Sequence, residues 1–429
     1  MSTLTCALQF GSQRIMAIAA LKDMHNGTLS NIQIESEPTR DCISHGCIVS
    51  IENAAMHIRS LVQKLSNRMR AQIVAAHVGV GGMSLHSLVQ VPSVKIPDYD
   101  VLDSLPLASS GQFQLVVGEK RLRQHIKAAM ERAGIRIASF IVQPIATATI
   151  LKHSERQRGC ALVDMGAGTT TVVIYHQGEL RHLAVIPLGG ESVTLDIQSV
   201  PCSYDDAERI KCEWSDVAQE VTPEQAAGTS SAATFAEKAL PIPQSRLNNI
   251  ALCRYEELAA NIEHQIEASG LKGQLQAGLV LTGGVAYQTG LVALLKRCLS
   301  VSDIEVRAYR ESALPGSEHK PHLTSLLALL NFCTDDCQAP RATATQSTQP
   351  AHSVQPTQPA QPAKPAKPTA APSSVTEPSL DIPDREPEPI KPAPKPAQPT
   401  PKPAPEPEAS PSIGSAIKRF ARDLFTPQK

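Results

Sequence analysis

The sequence predicts an α/β fold built in two related halves, and three observations carry that prediction. Apolar and β-branched runs alternate with helical stretches along residues 4–335. A strand–turn–strand plan occurs at 4–20 and returns at 160–180. Glycine turns follow apolar runs at Gly11, at Gly166 and Gly168, and at Gly283 and Gly284. Such turns at strand ends are where open α/β sheets receive ligands.

Residues 4–20, LTCALQFGSQRIMAIAA, read as two strands joined at Gly11-Ser12, and 28–34 add a third. Ile51, Ala55, Ile58, Leu61, Val62 and Leu65 share one face of a helix over 51–65. Residues 73–80 form a strand that runs into Gly79, Gly81 and Gly82. Over 85–111 no element is legible, because Pro92, Pro97 and Pro106 interrupt the pattern. A strand over 112–117, a helix over 120–133 closed by Gly134, and a strand over 135–142 follow. Pro144 then opens a helix.

The stretch 160–180, CALVDMGAGTTTVVIYHQGEL, is the most informative. Its first strand ends at Asp164, and the turn that follows carries few side chains. Backbone N–H groups and the hydroxyls of Thr169 and Thr170 can therefore approach a phosphate closely. Asp164 is suited to hold Mg²⁺ through water, since that ion keeps most of its hydration shell. After it come helices over 187–197 and 204–214. In the second, Glu208 and Lys211 stand three residues apart, which taken alone describes a solvated ion pair. Residues 215–233 read as a polar loop and 245–266 as a long helix. Residues 277–291 give a strand, the Thr282-Gly283-Gly284 turn and a helix; a strand over 304–309 and a helix over 322–332 complete the series.

With 429 residues, 42% of them hydrophobic, the chain can bury a large core in two or three domains. The net charge of −1 gives no electrostatic case for nucleic acid. Ten cysteines without a Cys-x-x-Cys pair read as reduced, cytosolic thiols rather than metal ligands. The first ten residues lack the pattern of a signal peptide, and no run approaches the ~20 apolar residues of a membrane span.

From 340 to 411 the composition collapses to Pro, Ala, Lys, Gln, Thr and Glu, and this stretch holds most of the 34 prolines. It cannot bury a core and reads as a disordered tether, roughly 200 Å long if fully extended as polyproline II and about 50 Å as a coil. Beyond it Ile413, Ile417, Phe420, Leu424 and Phe425 share one helical face, with Lys418, Arg419 and Arg422 beside it. This is a basic amphipathic helix over 412–426, suited to an anionic membrane surface.

Taken together these motifs resemble the actin-like ATPase superfamily, and within it the FtsA family. QFGSQR, from Gln9 to Arg14, stands where the first phosphate loop would be, with Gly11, Ser12 and Arg14 toward the phosphates. DMGAGTT, from Asp164 to Thr170, matches the second, and LTGGVA, from Leu281 to Ala286, the adenosine motif. The FtsA likeness lies in the run from Gly178 to Ile197, in DDAERIK, in RYEEL from Arg254 to Leu258, and in the tethered C-terminal helix.

The resemblance implies an actin-like fold with two duplicated RNase H-like halves, at 1–142 and 143–319. A helix near 320–335 completes the first half, and a smaller subdomain lies near 200–273. It implies ATP and Mg²⁺ as cofactors, Gln143 orienting the attacking water, and Glu208 and Lys211 at ribose and adenine. It further implies self-assembly into filaments, an FtsZ C-terminal tail held by Arg254, Arg246 or Lys238, later divisome proteins as partners, and a place on the cytoplasmic face of the cell membrane at the septum. An actin-like pilus-assembly adaptor and an ATP-dependent kinase or chaperone are the alternatives. Four departures shape the expectation. Gln9 replaces the acid of the first loop, Arg14 replaces its lysine, and 85–111 is much shorter than the subdomain FtsA inserts there. SLLALL, from Ser325 to Leu330, lacks the glycine the family usually has at that place. The first departure implies slow or absent hydrolysis.

Overall fold

The computed structural model describes residues 2–89, 98–108, 111–218, 232–233, 242–299, 304–311 and 320–339. All of them lie within one compact unit, Met1–Gln346.

Two sheets share one plan. In the first, the antiparallel strands Ser2–Phe10, Arg14–Asp23 and Leu29–Pro38 stand in that order. On the other side of Ser2–Phe10 run the parallel strands Ala75–Val80 and Arg136–Val142. The second sheet repeats this with Cys160–Met165, Thr170–His176 and Glu179–Ile186, flanked in parallel by Leu279–Thr282 and Val306–Ala308. The opening strand of each half is buried from Leu4 to Phe10 and from Cys160 to Val163, because it is central and covered on both faces.

Each half packs its own helices. The helix Ile51–Met69 begins at Ser50, whose side chain accepts from the Asn53 N–H, and ends at Arg70 in the left-handed conformation. It lies with Lys120–Ala133 against the first sheet through Ile58, Leu61, Leu65, Ile126 and Met130. In the second half the long helix Gln244–Ala268 joins the sheet's own core through Tyr255, Leu258, Ile262 and Ile266, together with Gly190–Ile197 and Leu291–Cys298.

The chain crosses between the halves twice. After Val142 the short helices Gln143–Thr147, Ala148–Ile150 and His153–Arg158 lead into the second sheet. The single helix expected after Pro144 is thus broken into three pieces. Thr324–Phe332 returns to cover the first sheet, packing Leu326, Leu329 and Leu330 against Ala7, Met16 and Ile18. Buried Lys22 fixes its end, donating to the carbonyls of Leu330 (2.8 Å), Asn331 (3.1 Å) and Cys333 (2.9 Å).

The region 85–111, read from sequence as lacking elements, contains the strands His86–Val89 and Tyr99–Leu107. Both pair with Gln112–Glu119, and His86 pairs with Ala184, so these three strands extend the second sheet to eight. Pro106 misled the pattern because it sits in an edge strand, where a missing N–H costs no ladder bond. No helix among the described residues is long and apolar enough to cross a membrane.

Candidate functional site

The two hairpin turns are built alike. Gly11 N–H donates to the Arg14 carbonyl (3.0 Å), and Gly166 N–H donates to that of Thr169 (2.8 Å). Each closes a two-residue turn at the end of its half's central strand. The turns touch through Ser12 and Gly168: a Cβ on Gly168 would stand 2.4 Å from Ser12 Oγ. Ser12 Oγ also accepts from the Gly46 N–H (3.0 Å). The close approach of the two loops therefore requires glycine at 168.

Beside the turns lies a cavity of about 1040 Å³. Its lining includes Gly11, Ser12 and Arg14 from the first turn, Asp164, Gly166 and Thr169 from the second, and Glu208, Lys211, Gly283 and Gly284 opposite. Gln143 also faces it, with Oε1 against the backbone of Gly79. Two predicted residues do other work. Gly168 contacts Ser12, and Thr170 is wholly buried with its hydroxyl donating to the Leu188 carbonyl (2.8 Å). Neither belongs to the lining.

Burial drives the Asp164 carboxyl up to about 6. No side-chain hydrogen bond within the described residues offsets it. Gly283, at φ 89°, is the reason a backbone can pass so close: a Cβ there would lie 2.5 Å from Asp164 Oδ1 and 2.4 Å from the Met165 carbonyl oxygen. A carboxylate whose charge burial makes costly, beside these two turns, suits a hydrated cation carried in with phosphates.

Glu208 and Lys211 are not the solvated pair that their spacing alone suggests. Lys211 is buried, and its ammonium donates to the Gly190 carbonyl (3.0 Å), Thr194 Oγ1 (2.9 Å) and Glu208 Oε2 (2.7 Å). All three of its protons are thereby placed. Burial pushes Glu208 up, but the Lys211 charge and the hydrogen bonds from Lys211 and Thr194 outweigh it and hold the carboxyl below its ordinary range. Lys211 thus acts as the anchor that orients Glu208 at the cavity wall.

At the first loop, Gln9 is buried and its amide N–H donates to Ser325 Oγ (2.9 Å), while its Oε1 has no partner. Ser325 and Thr324, both lining the cavity, were not legible in advance. Their only signal is a small polar pair opening an otherwise apolar helix. Tyr255 and Gln288 were missed likewise; the Tyr255 hydroxyl lies 3.4 Å from Gln288 Oε1. Arg14 is exposed beside the turn.

Of the cations assigned to an acidic tail peptide, Arg246 is exposed near the start of its helix. Arg254 is held within the chain by Asp196 (2.8 and 3.0 Å) and by Glu257. Lys238, the tether and the helix carrying Ile413 to Phe425 lie outside the described residues.

Comparison with known proteins adds the lineage. The family model described as "Cell division protein FtsA" matches residues 161–328. The cell division protein FtsA of Porphyromonas gingivalis is 29% identical over 357 residues, spanning 72% of this chain and 74% of that protein. That of Pseudomonas aeruginosa is 27% identical over 335 residues, 67% of this chain and 79% of that one. Among solved structures, a chain of the PilM-PilN type IV pilus biogenesis complex superposes with a TM-score of 0.54 at 17% identity, covering 76% of this chain and 97% of its own. That likeness speaks for the fold, which is actin-like. The duplicated sheets and paired turns thus occur in a chain that is similar to FtsA cell division proteins over about two thirds of its length or more, with residues 161–328 matching that family's model.

Proposed function

We propose that the cavity binds ATP with Mg²⁺, hydrolyses it slowly or not at all, and serves a cell-division adaptor that assembles with itself and ties FtsZ filaments to the membrane. The observation that carries the nucleotide reading is the pair of equivalent turns facing one cavity beside Asp164. The donors fit. Backbone N–H groups within the turns, at Ser12 and Thr169, suit phosphate oxygens, and Asp164 suits a magnesium hydration shell. When bound, Mg²⁺ would screen the phosphates and polarise the terminal phosphoryl group. Glu208 is the wall residue best suited to accept from ribose hydroxyls. Gln143 orients water by hydrogen bonding but is too weak a base to take its proton. With Gln9 in place of an acid, no second carboxylate activates that water, so turnover should stay well below the ~1 s⁻¹ low end of typical enzymes.

The C-terminal amphipathic helix supplies the membrane contact, at the cytoplasmic face and at the septum. An FtsZ tail peptide, being acidic, meets exposed Arg246 directly, and reaches Arg254 only by displacing Asp196 or Glu257. The same surfaces would recruit later divisome proteins. The second reading, a pilus-assembly adaptor, draws on the fold match at TM-score 0.54, and the tethered basic helix speaks against it.

Calorimetric titration of Mg²⁺–ATP tests the core of the proposal. Asp164→Ala should weaken binding at least ten-fold. Unchanged affinity in that variant, or brisk turnover by the wild type, would overturn it. Co-sedimentation with FtsZ and anionic vesicles separates the two adaptor readings: no FtsZ-dependent recovery speaks for the pilus adaptor.

A further inference from the structure

On the first half, the strand Leu29–Pro38, the turn after it and the helix Ile51–Met69 bring four side chains together. Asp41, Cys42 and His57 each offer one ligand atom, and the three atoms lie within 4.8 Å of one another. His57 stands between two carboxylates. Its Nδ1 is 2.7 Å from Glu37 Oε2, and its Nε2 is 3.5 Å from Asp41 Oδ1. Glu37 is itself held by Ser60 Oγ and by the Lys64 ammonium (2.7 Å). His57, Ser60 and Lys64 share one helical face, so that face fixes Glu37 and Glu37 fixes the imidazole. Cys42 is wholly buried in a tied turn. Its N–H donates to the Thr39 carbonyl (3.0 Å), and its own carbonyl accepts from Val49 (2.8 Å) and Ser50 (3.3 Å).

The Glu37 contact decides the chemistry. An imidazole that donates from Nδ1 to a carboxylate, when neutral, carries its lone pair on Nε2. That lone pair faces Asp41 Oδ1, so two acceptors confront each other with a thiol alongside. A cation placed among them would satisfy both acceptors and the sulfur at once. A carboxylate behind a histidine, with the other ring nitrogen turned toward a thiol and a second carboxylate, is the arrangement that orients metal ligands.

We propose that Asp41, Cys42 and His57 form a binding site for a zinc-class divalent cation, with water as the fourth ligand and Glu37 as a positioning residue. Sulfur and imidazole donors select such an ion over Mg²⁺ or Ca²⁺, and three protein ligands with one open position suit Zn²⁺. As the sulfur–metal bond forms, the Cys42 thiol releases its proton to solvent. The ligand atoms need to close by only about 1 Å to meet bonds of roughly 2.0–2.3 Å. The site is separate from Asp164. It sits on the turn whose Thr39 hydroxyl donates to the Gly11 carbonyl (3.0 Å), so an ion there would stiffen the support of the first phosphate loop.

Cobalt binding to the full-length chain tests this, with Co²⁺ as the probe and Zn²⁺ as competitor. One Co²⁺ per chain should give the thiolate-to-cobalt charge-transfer band of a tetrahedral site, displaced by Zn²⁺ and not by excess Mg²⁺. Cys42→Ser should abolish the band. His57→Gln and Asp41→Asn should each weaken binding more than ten-fold, and Glu37→Gln by about ten-fold. No band in the wild type, or one that persists in Cys42→Ser, would overturn the proposal. Should Cys42→Ser fail to fold, the exposed Asp41→Asn keeps the test sharp: wild-type cobalt affinity in that variant and in His57→Gln would also overturn it.

Discussion

At Asp164 a single carboxyl sets both the ligand chemistry and a pH dependence. Burial raises it from 3.8 to about 6, so above pH 6 the fold carries a destabilised charge, and below about pH 3.8, where both states are protonated, it carries none. The linkage sign follows: the charge costs stability at neutral pH, and the cost disappears as pH falls through the two values. Asp164→Asn should therefore raise the melting temperature of the nucleotide-free protein at pH 7.5, by about 1–3 kcal/mol in stability, and should have no effect near pH 3.5. Thermal melts at the two pH values check this. The same proton competes with magnesium, so Mg²⁺–ATP affinity should drop as pH falls from 7 to 5 in the wild type. Titrations across that range should show no such slope in Asp164→Asn. Lys211 is a different case. Its position three residues from Glu208 was plain, but burial and the bonds to Gly190 and Thr194 depend on a neighbouring helix that the spacing does not specify. Removing the ammonium in Lys211→Ala leaves a largely buried Glu208 unpaired. We expect a loss of about 2–3 kcal/mol in urea unfolding, discounted from the fully buried case because Glu208 keeps some solvent contact.

Among elements, the most legible were those whose apolar period matched their packing. The helix Ile51–Met69 shows a clean face with a serine at its start, and its structure differs from the expectation only by one further turn. The strands of 85–111 were illegible for a physical reason. They form a small antiparallel group with an exposed edge, half-buried on the other strands, so neither alternation nor a long apolar run marks them. The C-terminal helix is legible only as a pattern, and its test is functional. Phe420→Glu puts a charge within the apolar face and should release the protein from vesicles. On the proposed anionic surface Lys418 and Arg419 together should contribute about 2 kcal/mol. Changing both to Ser should weaken flotation on anionic vesicles, least so in high salt, and hardly alter it on neutral ones. Flotation across a salt series distinguishes the two, and wild-type flotation of Phe420→Glu would remove the anchor.

At the scale of the molecule, Arg40 adds to the contact that Ser12 and Gly168 make between the halves. Arg40 reaches from the first half to Asp205 (2.7 Å) and lies 4.0 Å over the ring of Tyr204 in the second. Both partners of the ion pair are exposed, so it is worth at most about 1 kcal/mol, and the ring contact adds a similar amount. A bridge this weak can break at little cost. Arg40→Ala should speed nucleotide release several-fold in stopped-flow measurements while costing little stability. Within the first half the stronger tie is Lys22: Lys22→Met removes the donor for three carbonyls at the end of Thr324–Phe332. Hydrogen exchange in that helix should rise well before the rest of the first half opens.

The duplicated halves, the glycine turns at strand ends, Asp164 and the long helices were determined by the sequence itself. Each rests on a local rule: strand period, helix period, or the backbone freedom that a tight turn demands. Tertiary structure alone decided the rest. It set Gly168 against Ser12, drew Thr170 out of the cavity, gave Gln9 its partner Ser325, and tied Arg254 to Asp196. Each of those outcomes depends on two segments far apart in the chain meeting at a few ångströms, and no local pattern carries that distance.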